Sequence, residues 1–387
     1  MIYKKIFAFA ALLAVIVMIV LSGCAQESSV PSATAAGTNT PAATATATPS
    51  PTIEPTPEPT PNGEDTRGSE PGVDNAVVYN GYIYYINKTY TTNNINSIYK
   101  VKPDGTDQQM VAYGEFWNLA LIGTRLFTIV DGNLCSADIT TLSKADDFAL
   151  VSDGDYRFIT GYEHKIFGIE YVTGAVSPFI TCVDMDGSNK INLEQGVFDS
   201  FTTTFQLQIR DRYIFYSDSA KNAENNMITR KIYRLSLDGT EKKELFSVEN
   251  ERPMVFALTP IDGEIYTSYS LLNAQGETEC FNLIVDYEGT VISETAAERH
   301  TSRFVFTADG TQKYLVKVQG FQSILRMEAG GGETFVDYCG STNDDALVIL
   351  ENSLMYLKYE NSKLVLFILP QGAQEPIALP PVEESAQ

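Results

Sequence analysis

The sequence predicts an all-β chain: a β-propeller of seven four-stranded blades, with six or eight blades as alternatives, behind a leader and an unfolded stalk. Three observations predict it. One short segment recurs at near-regular spacing, each interval divides into four strand-like pieces, and no helical pattern of useful length follows residue 72. Blade-sized repeats of ~40–45 residues built from four strands are the mark of a propeller.

The chain opens MIYKK and continues with an unbroken apolar run from Ile6 to Leu21. Lys4 and Lys5 followed by this run have the layout of a secretory signal, and the run is short for a membrane span, which needs ~20 apolar residues. The next residues, Leu21-Ser22-Gly23-Cys24, resemble the lipobox of bacterial lipoproteins. The resemblance implies cleavage before Cys24 and a lipid on its thiol, so residues 1–23 are read as signal peptide. The expected partner is a membrane, reached through the lipid on Cys24, with the domain facing the extracellular or envelope space of a bacterium.

Residues 24–72 are dominated by Thr, Pro, Ala and Ser, with PTIEPTPEPTPNGED near the end. So few large apolar residues cannot offset the conformational entropy of folding. Repeated Thr-Pro and Glu-Pro pairs favour extended polyproline at ~3.1 Å per residue, a reach on the order of 100 Å. The segment is read as a disordered linker that holds a domain, residues 73–387, away from a bilayer. The chain carries 49 acidic and 27 basic residues, a formal charge of −22, and losing Lys4 and Lys5 takes it to −24. That surface repels nucleic acid and anionic lipid.

Within 73–387 the recurring segments are IYKVKPDGT (98–106), LCSADITTL (134–142), ITCVDMDGS (180–188), IYRLSLDGT (232–240), NLIVDYEGT (282–290), ILRMEAGGG (324–332) and VLFILPQG (365–372). Their turn positions, 105, 141, 187, 239, 289, 331 and 372, are spaced by about 44 residues on average. Tyr99 and Val101, Tyr233 and Leu235, Leu325 and Met327 share one parity, while Lys100, Arg234 and Arg326 take the other. A period of two means strand. Asp-Gly suits tight hairpins because glycine accepts positive φ. Each segment therefore reads as the third strand and outer turn of a blade. The fourth interval divides into FTTTFQLQIRD, RYIFYSD, KIYRLSLDG and TEKKELFSV, and the seventh into DDALVILENS, LMYLKYENS, KLVLFILPQG and QEPIALP.

GYIYYIN at 81–87 followed by IYKVKPDGT resembles the low-density-lipoprotein-receptor-related type of β-propeller domain found in many bacterial lipoproteins. The resemblance covers residues 72–387 and implies a binding or structural module; it transfers no catalytic residue. The chain departs from that family in lacking the Tyr-Trp-Thr-Asp tetrapeptide, and in having seven units where six are usual.

Motifs for chemistry are sparse. His164 and His300 are the two histidines and lie in different units. There is no His-Glu-x-x-His, Gly-x-Ser-x-Gly, Walker loop or dinucleotide fingerprint, so no metal or cofactor is expected. DMDGSNKINLE at 184–194 gives Asp184, Asp186 and Ser188 the spacing of a calcium loop. However, Asn189 stands where that loop needs glycine and Gln195 where it needs a bidentate glutamate, so the segment reads as a hairpin. Cys135 and Cys182 fall on third strands of neighbouring units, too far apart for a disulfide when packed sheets stand ~10 Å apart. With Cys280 and Cys339 they are expected to be buried free thiols.

Function is expected on the face that carries the blade-to-blade and second-to-third-strand connections. The longest of the latter are 88–96, 217–229 and 271–279. Tyr90, Asn93, Asn94, Asn225 and Asn226 lie in these connections. Trp117, Arg157, Arg252 and Arg303 lie where the chain enters inner strands. Aromatic, amide and guanidinium groups around a pore suit ligand binding, while the plainer reading has Trp117 packing and the arginines pairing with abundant carboxylates. The expected function is a surface-anchored, non-enzymatic module that binds an extracellular protein, peptide or glycan. The alternatives are an envelope hydrolase or lyase using channel carboxylates, and a spacer without ligand.

Overall fold

Twenty-eight strands form seven sheets of four, each strand hydrogen-bonded to the next in sequence. The computed structural model describes residues 76–87, 96–196, 207–222, 227–299, 301–306, 313–319, 321–327, 332–339, 348–350, 353–360 and 363–379. The blades span 76–112, 117–152, 156–195, 207–250, 254–297, 301–339 and 348–379. Apart from one 3-10 turn, Ala145–Asp147, the described residues contain no helix. First strands touch their neighbours around the ring, and Val348–Leu350 of blade seven meets Ala76–Tyr79 of blade one. First strands are therefore innermost. Antiparallel order sends the first-to-second and third-to-fourth turns to one face, the turn face, and all other connections to the opposite, crossover face.

The recurring sequence segment is a third strand and its turn, as expected. Asp104 shows why Asp-Gly-Thr is repeated: its carboxylate accepts from the Thr106 amide (2.9 Å) and hydroxyl (2.6 Å). Asp138 with Thr140, Asp186 with Ser188 and Asp238 with Thr240 repeat the arrangement. Asp238 also accepts from the Ser236 hydroxyl, and these bonds hold its carboxyl down at about 2. A depressed folded value means that its contribution is present above the ordinary carboxylate range and is lost as pH falls toward about 2. In 184–194, Asp186 is committed to Ser188 and Asp184 to Lys165 and Asn189, which makes the segment a turn. Among the described residues no group of three or more His, Cys, Asp or Glu could hold a metal ion.

The fourth strands carry a feature that periodicity does not reveal. In blades one to six an extra residue bulges out opposite the third strand; in blade five it is Ile292, and in blades one, two, three, four and six it is Val111, Val151, Leu193, Leu245 and Val336. It lies across from Ile98, Leu134, Ile180, Ile232 and Ile324, all without solvent exposure. In blades three, four and five the turn glycine packs on the preceding blade's bulge, whereas blade two has Thr141 at that position and Gly372 of blade seven has nothing within 4 Å. A Cβ on Gly187 would come within 2.0 Å of the Val151 carbonyl oxygen; one on Gly239 would meet Leu193, and one on Gly289 the Leu245 carbonyl at 3.0 Å. At the closing seam Gly105 lies against Ile368 and Ile377. These glycines thus serve twice, in positive φ and in close approach of two backbones.

Cross-strand aromatic pairs bind second to third strands: Tyr85–Tyr99, Tyr216–Tyr233, Tyr269–Phe281 and Tyr356–Phe367, stacked at 4.9–5.8 Å between centroids. Blade three differs. Gly168 faces Thr181 on the third strand, and Tyr156 from the first strand fills the space, so that a Cβ on Gly168 would meet its ring at 3.0 Å. The ring closes without a shared strand, because blade seven is built wholly from its own residues. Ile83, Tyr85 and Val101 of blade one pack with Met355, Leu357 and Ile368 of blade seven, and the Ser353 hydroxyl donates to the Pro103 carbonyl at 3.1 Å. Burial is worth about 1.5–3 kcal/mol per large apolar side chain, against about 1 for a backbone hydrogen bond. Packing alone can therefore hold the seam. Cys135, Cys182, Cys280 and Cys339 are buried and free, and burial pushes the Cys182 thiol up to about 11.

Two segments expected as loops are partly strand. Tyr213–Lys221 pairs with Ile228–Ser236, and Glu264–Leu272 with Thr278–Asp286, so blades four and five raise long hairpins on the crossover face. Asn250 joins the two blades: its amide donates to the Leu272 carbonyl (3.0 Å) and its oxygen accepts the Leu272 amide (3.1 Å).

Gly187→Ala and Gly276→Ala separate the two roles of a turn glycine. Both residues have positive φ, but only Gly187 has a neighbour. Gly276→Ala should cost about 1 kcal/mol. Gly187→Ala should cost a further ~1–3 kcal/mol, because Val151 must move. Urea unfolding of the two variants checks this; equal losses would refute the bulge contact.

Candidate functional site

Of the residues singled out in the sequence, Tyr90, Asn93, Asn94, Asn225 and Asn226 lie outside the described residues. Trp117, Arg157 and Arg252 are described, and Arg303 is described in its backbone only. The first strands place them at different register positions. Each of four first strands bulges near its start on the crossover face, the extra residue being Asn118, Arg157, Phe256 or Ser302. Arg157 is thus the counterpart of Asn118. Trp117 stands one residue before the bulge, Arg303 one after, and Arg252 lies ahead of its strand, Met254–Ile261. The register gives no ring of equivalent side chains. It does bring together the strand starts of blades two and three, whose first strands touch.

This rim is built locally. Trp117 opens its strand half-exposed, while the preceding Phe116 is buried. The buried Thr128 fixes the bulge by donating to the Asn118 carbonyl at 2.8 Å and the Trp117 carbonyl at 3.2 Å. Bulges re-aim side chains in this way beside binding sites. In blade three the Arg157 guanidinium pairs with Asp155 at 3.0 Å and lies 5.8 Å from the Tyr171 ring centre. The Tyr171 amide donates to the Asp155 carbonyl at 2.9 Å. Both partners of the ion pair are about half exposed, so the pair adds little stability, and its groups are free to be shared with a ligand.

Beneath the rim lies an ion pair with one buried partner. Glu170, the residue before Tyr171, is 4% exposed, and its Oε1 accepts from Lys190 Nζ at 2.6 Å. Lys190 also donates to the Asp153 carbonyl (3.0 Å) and lies 4.9 Å from the Tyr156 ring centre, while the Tyr156 hydroxyl meets Ser152 at 3.1 Å. Burial alone would lower the Lys190 ammonium, but the Glu170 carboxylate and Tyr156 outweigh it and hold it above its ordinary value. Gly154 is glycine because of this group, since a Cβ there would come within 2.5 Å of Glu170 Oε1. Glu170 Oε2 is buried without a hydrogen-bond partner. The pair clamps the 152–156 connection and thereby positions Asp155 and Arg157.

Sequence reasoning missed Asp155, Glu170 and Tyr171. A usable signal was the connection YVTGAVSP at 171–178, whose tip residue Val176 is almost wholly exposed.

No family model matches the chain, and no curated protein does. Solved structures with a similar fold exist. The Pyrococcus horikoshii acylaminoacyl peptidase is 13% identical with a TM-score of 0.52, over 80% of this chain and 52% of that one. An oligogalacturonate lyase in complex with manganese gives 12% and 0.45, over 71% and 82%. TolB from Acinetobacter baumannii gives 12% and 0.42, over 73% and 75%. The chain spans about half the length of the peptidase. At these identities the likeness concerns the fold alone.

Lys190→Met leaves the Glu170 carboxylate buried and unpaired, and should cost ~3–5 kcal/mol. Adding Glu170→Gln should recover most of the loss. If urea unfolding shows the double variant no more stable than Lys190→Met, the pair does not hold the rim.

Proposed function

We propose that this chain is a non-enzymatic binding propeller, held outside the cell on a lipid at Cys24 and engaging an extracellular protein, peptide or glycan through its crossover face. The observation that carries the reading is the asymmetry between the faces. The turn face is economical: Asn80-Gly81, Asp211-Arg212 and Asp262-Gly263 make two-residue turns, and the Asp-Gly-Thr turns are closed on themselves. The crossover face carries exposed Trp117 and Tyr171, the shareable Arg157–Asp155 pair and the raised hairpins of blades four and five, none of which the ring needs to close. Exposed aromatic and guanidinium groups of this kind are where binding energy concentrates. The low-density-lipoprotein-receptor-related resemblance and the Leu-Ser-Gly-Cys segment support the same reading.

A carboxylate enzyme of the envelope is the second reading. One observation favours it: Glu170 is a buried carboxylate with an unpartnered oxygen, close beneath the rim. A chain-length spacer without ligand would leave the exposed rim side chains without a role.

Two measurements test the proposal. Metabolic labelling with a fatty acid should mark the full chain and fail with Cys24→Ala; label persisting in the variant contradicts the anchor. Capture of extracellular material by the full-length protein should fall about tenfold or more with Trp117→Ala or Arg157→Ala. It should be unchanged by the turn-face variants Lys102→Ala and His164→Ala. The opposite pattern, in variants that melt normally, would place binding on the wrong face.

A further inference from the structure

The rim of blades two and three has a composition that narrows its ligand further. Among the described residues its exposed side chains include two flat aromatic rings, Trp117 and Tyr171, three carboxylates, Glu115, Asp153 and Asp155, and the guanidinium of Arg157. Carboxylates only accept hydrogen bonds, so the rim is rich in acceptors and poor in donors. Three negative groups to one positive repel an anion, as does the whole chain at −22. A peptide brings as many carbonyl acceptors as amide donors, and its carbonyls would find only Arg157, the Trp117 indole N–H and the Tyr171 hydroxyl. A neutral sugar brings what the rim lacks: several hydroxyl donors on its edge and an apolar C–H face to lie on an aromatic ring. Arg157 is held in place by Asp155 and Tyr171, ready to donate to a ring or hydroxyl oxygen.

We infer that this rim is a binding site for a neutral oligosaccharide, with Trp117 and Tyr171 as stacking platforms, Asp155 as hydroxyl acceptor and Arg157 as donor. The inference rests on the crossover face being the binding face, and adds the ligand class. Rim rigidity comes from below, through Lys190 and Glu170, so the platforms are ordered before the ligand arrives. Pre-ordering matters because loop ordering otherwise subtracts from affinity.

Trp117 is the single tryptophan of the chain, so its fluorescence reports on this rim alone. Full-length protein is titrated with cellohexaose, maltohexaose, chitohexaose, hexagalacturonate and pentalysine. At least one neutral hexasaccharide should shift the Trp117 emission and saturate below about 1 mM, a modest affinity of ~4 kcal/mol. Tyr171→Ala should weaken that binding about tenfold or more, and Tyr171→Phe should retain it. Hexagalacturonate should leave the emission unchanged. The inference is overturned if no neutral sugar shifts the emission, if hexagalacturonate or pentalysine alone does, or if Tyr171→Ala binds as well as the wild type. Should the sugars fail while Trp117→Ala still abolishes capture of a protein partner, the crossover face stands as the binding face and the sugar is wrong.

Discussion

The contact between a turn glycine and the bulged fourth strand of the preceding blade is the constraint that joins blades two to five. Outer strands of neighbouring blades would diverge if only their inner strands touched. The bulge at Val151, Leu193 or Leu245 pushes backbone toward the next blade, and Gly187, Gly239 or Gly289 leaves room for it. The aspartate before the glycine and the threonine or serine after it then hold the turn in the one shape that fits. A motif that looks like local turn chemistry is therefore also the inter-blade joint. At the closing seam Gly105 packs instead on the Ile368 and Ile377 side chains of blade seven, whose fourth strand pairs without a bulge, and the circle closes without a borrowed strand.

Much of this was legible from residues. The Asp-Gly-Thr segments located the third strands and the blade count, because they combine strict alternation with a turn that only glycine tolerates. The blade-four and blade-five hairpins were not legible. Ser217–Lys221 rises above the core, so neither of its faces is buried enough to impose alternation, and a polar strand then looks like a loop. The bulges were invisible for a related reason, since one extra residue breaks the period that identifies a strand. The placement of Trp117 and Arg157 near strand starts was legible because aromatic and basic residues there stand out. Glu170 and Tyr171 were not, because what makes them matter is Gly168 and Gly154, two absent side chains that let Tyr156 and a carboxylate into the space beneath the rim.

The rim and the ring divide the work. Joints on the turn face and apolar seams between blades supply stability. On the proposed reading, recognition falls to a short stretch of blades two and three whose exposed groups, Trp117, Arg157 and Tyr171, contribute little to folding. Lys190 and Glu170 link the two, since they lie in the seam and hold the connection that carries Asp155. A scaffold of this kind can change its ligand by changing a few crossover residues while the turns stay fixed.

The central claim is that packed joints, not a shared strand, make the seven blades one cooperative ring. Native-state amide hydrogen exchange tests it most directly. Buried second-strand amides at Ile83–Tyr85 of blade one and Met355–Leu357 of blade seven should open with the same free energy as those at Ile166–Gly168 of blade three. If blades one and seven instead exchange together at a clearly lower free energy, the seam is a weak point and the account of closure is wrong.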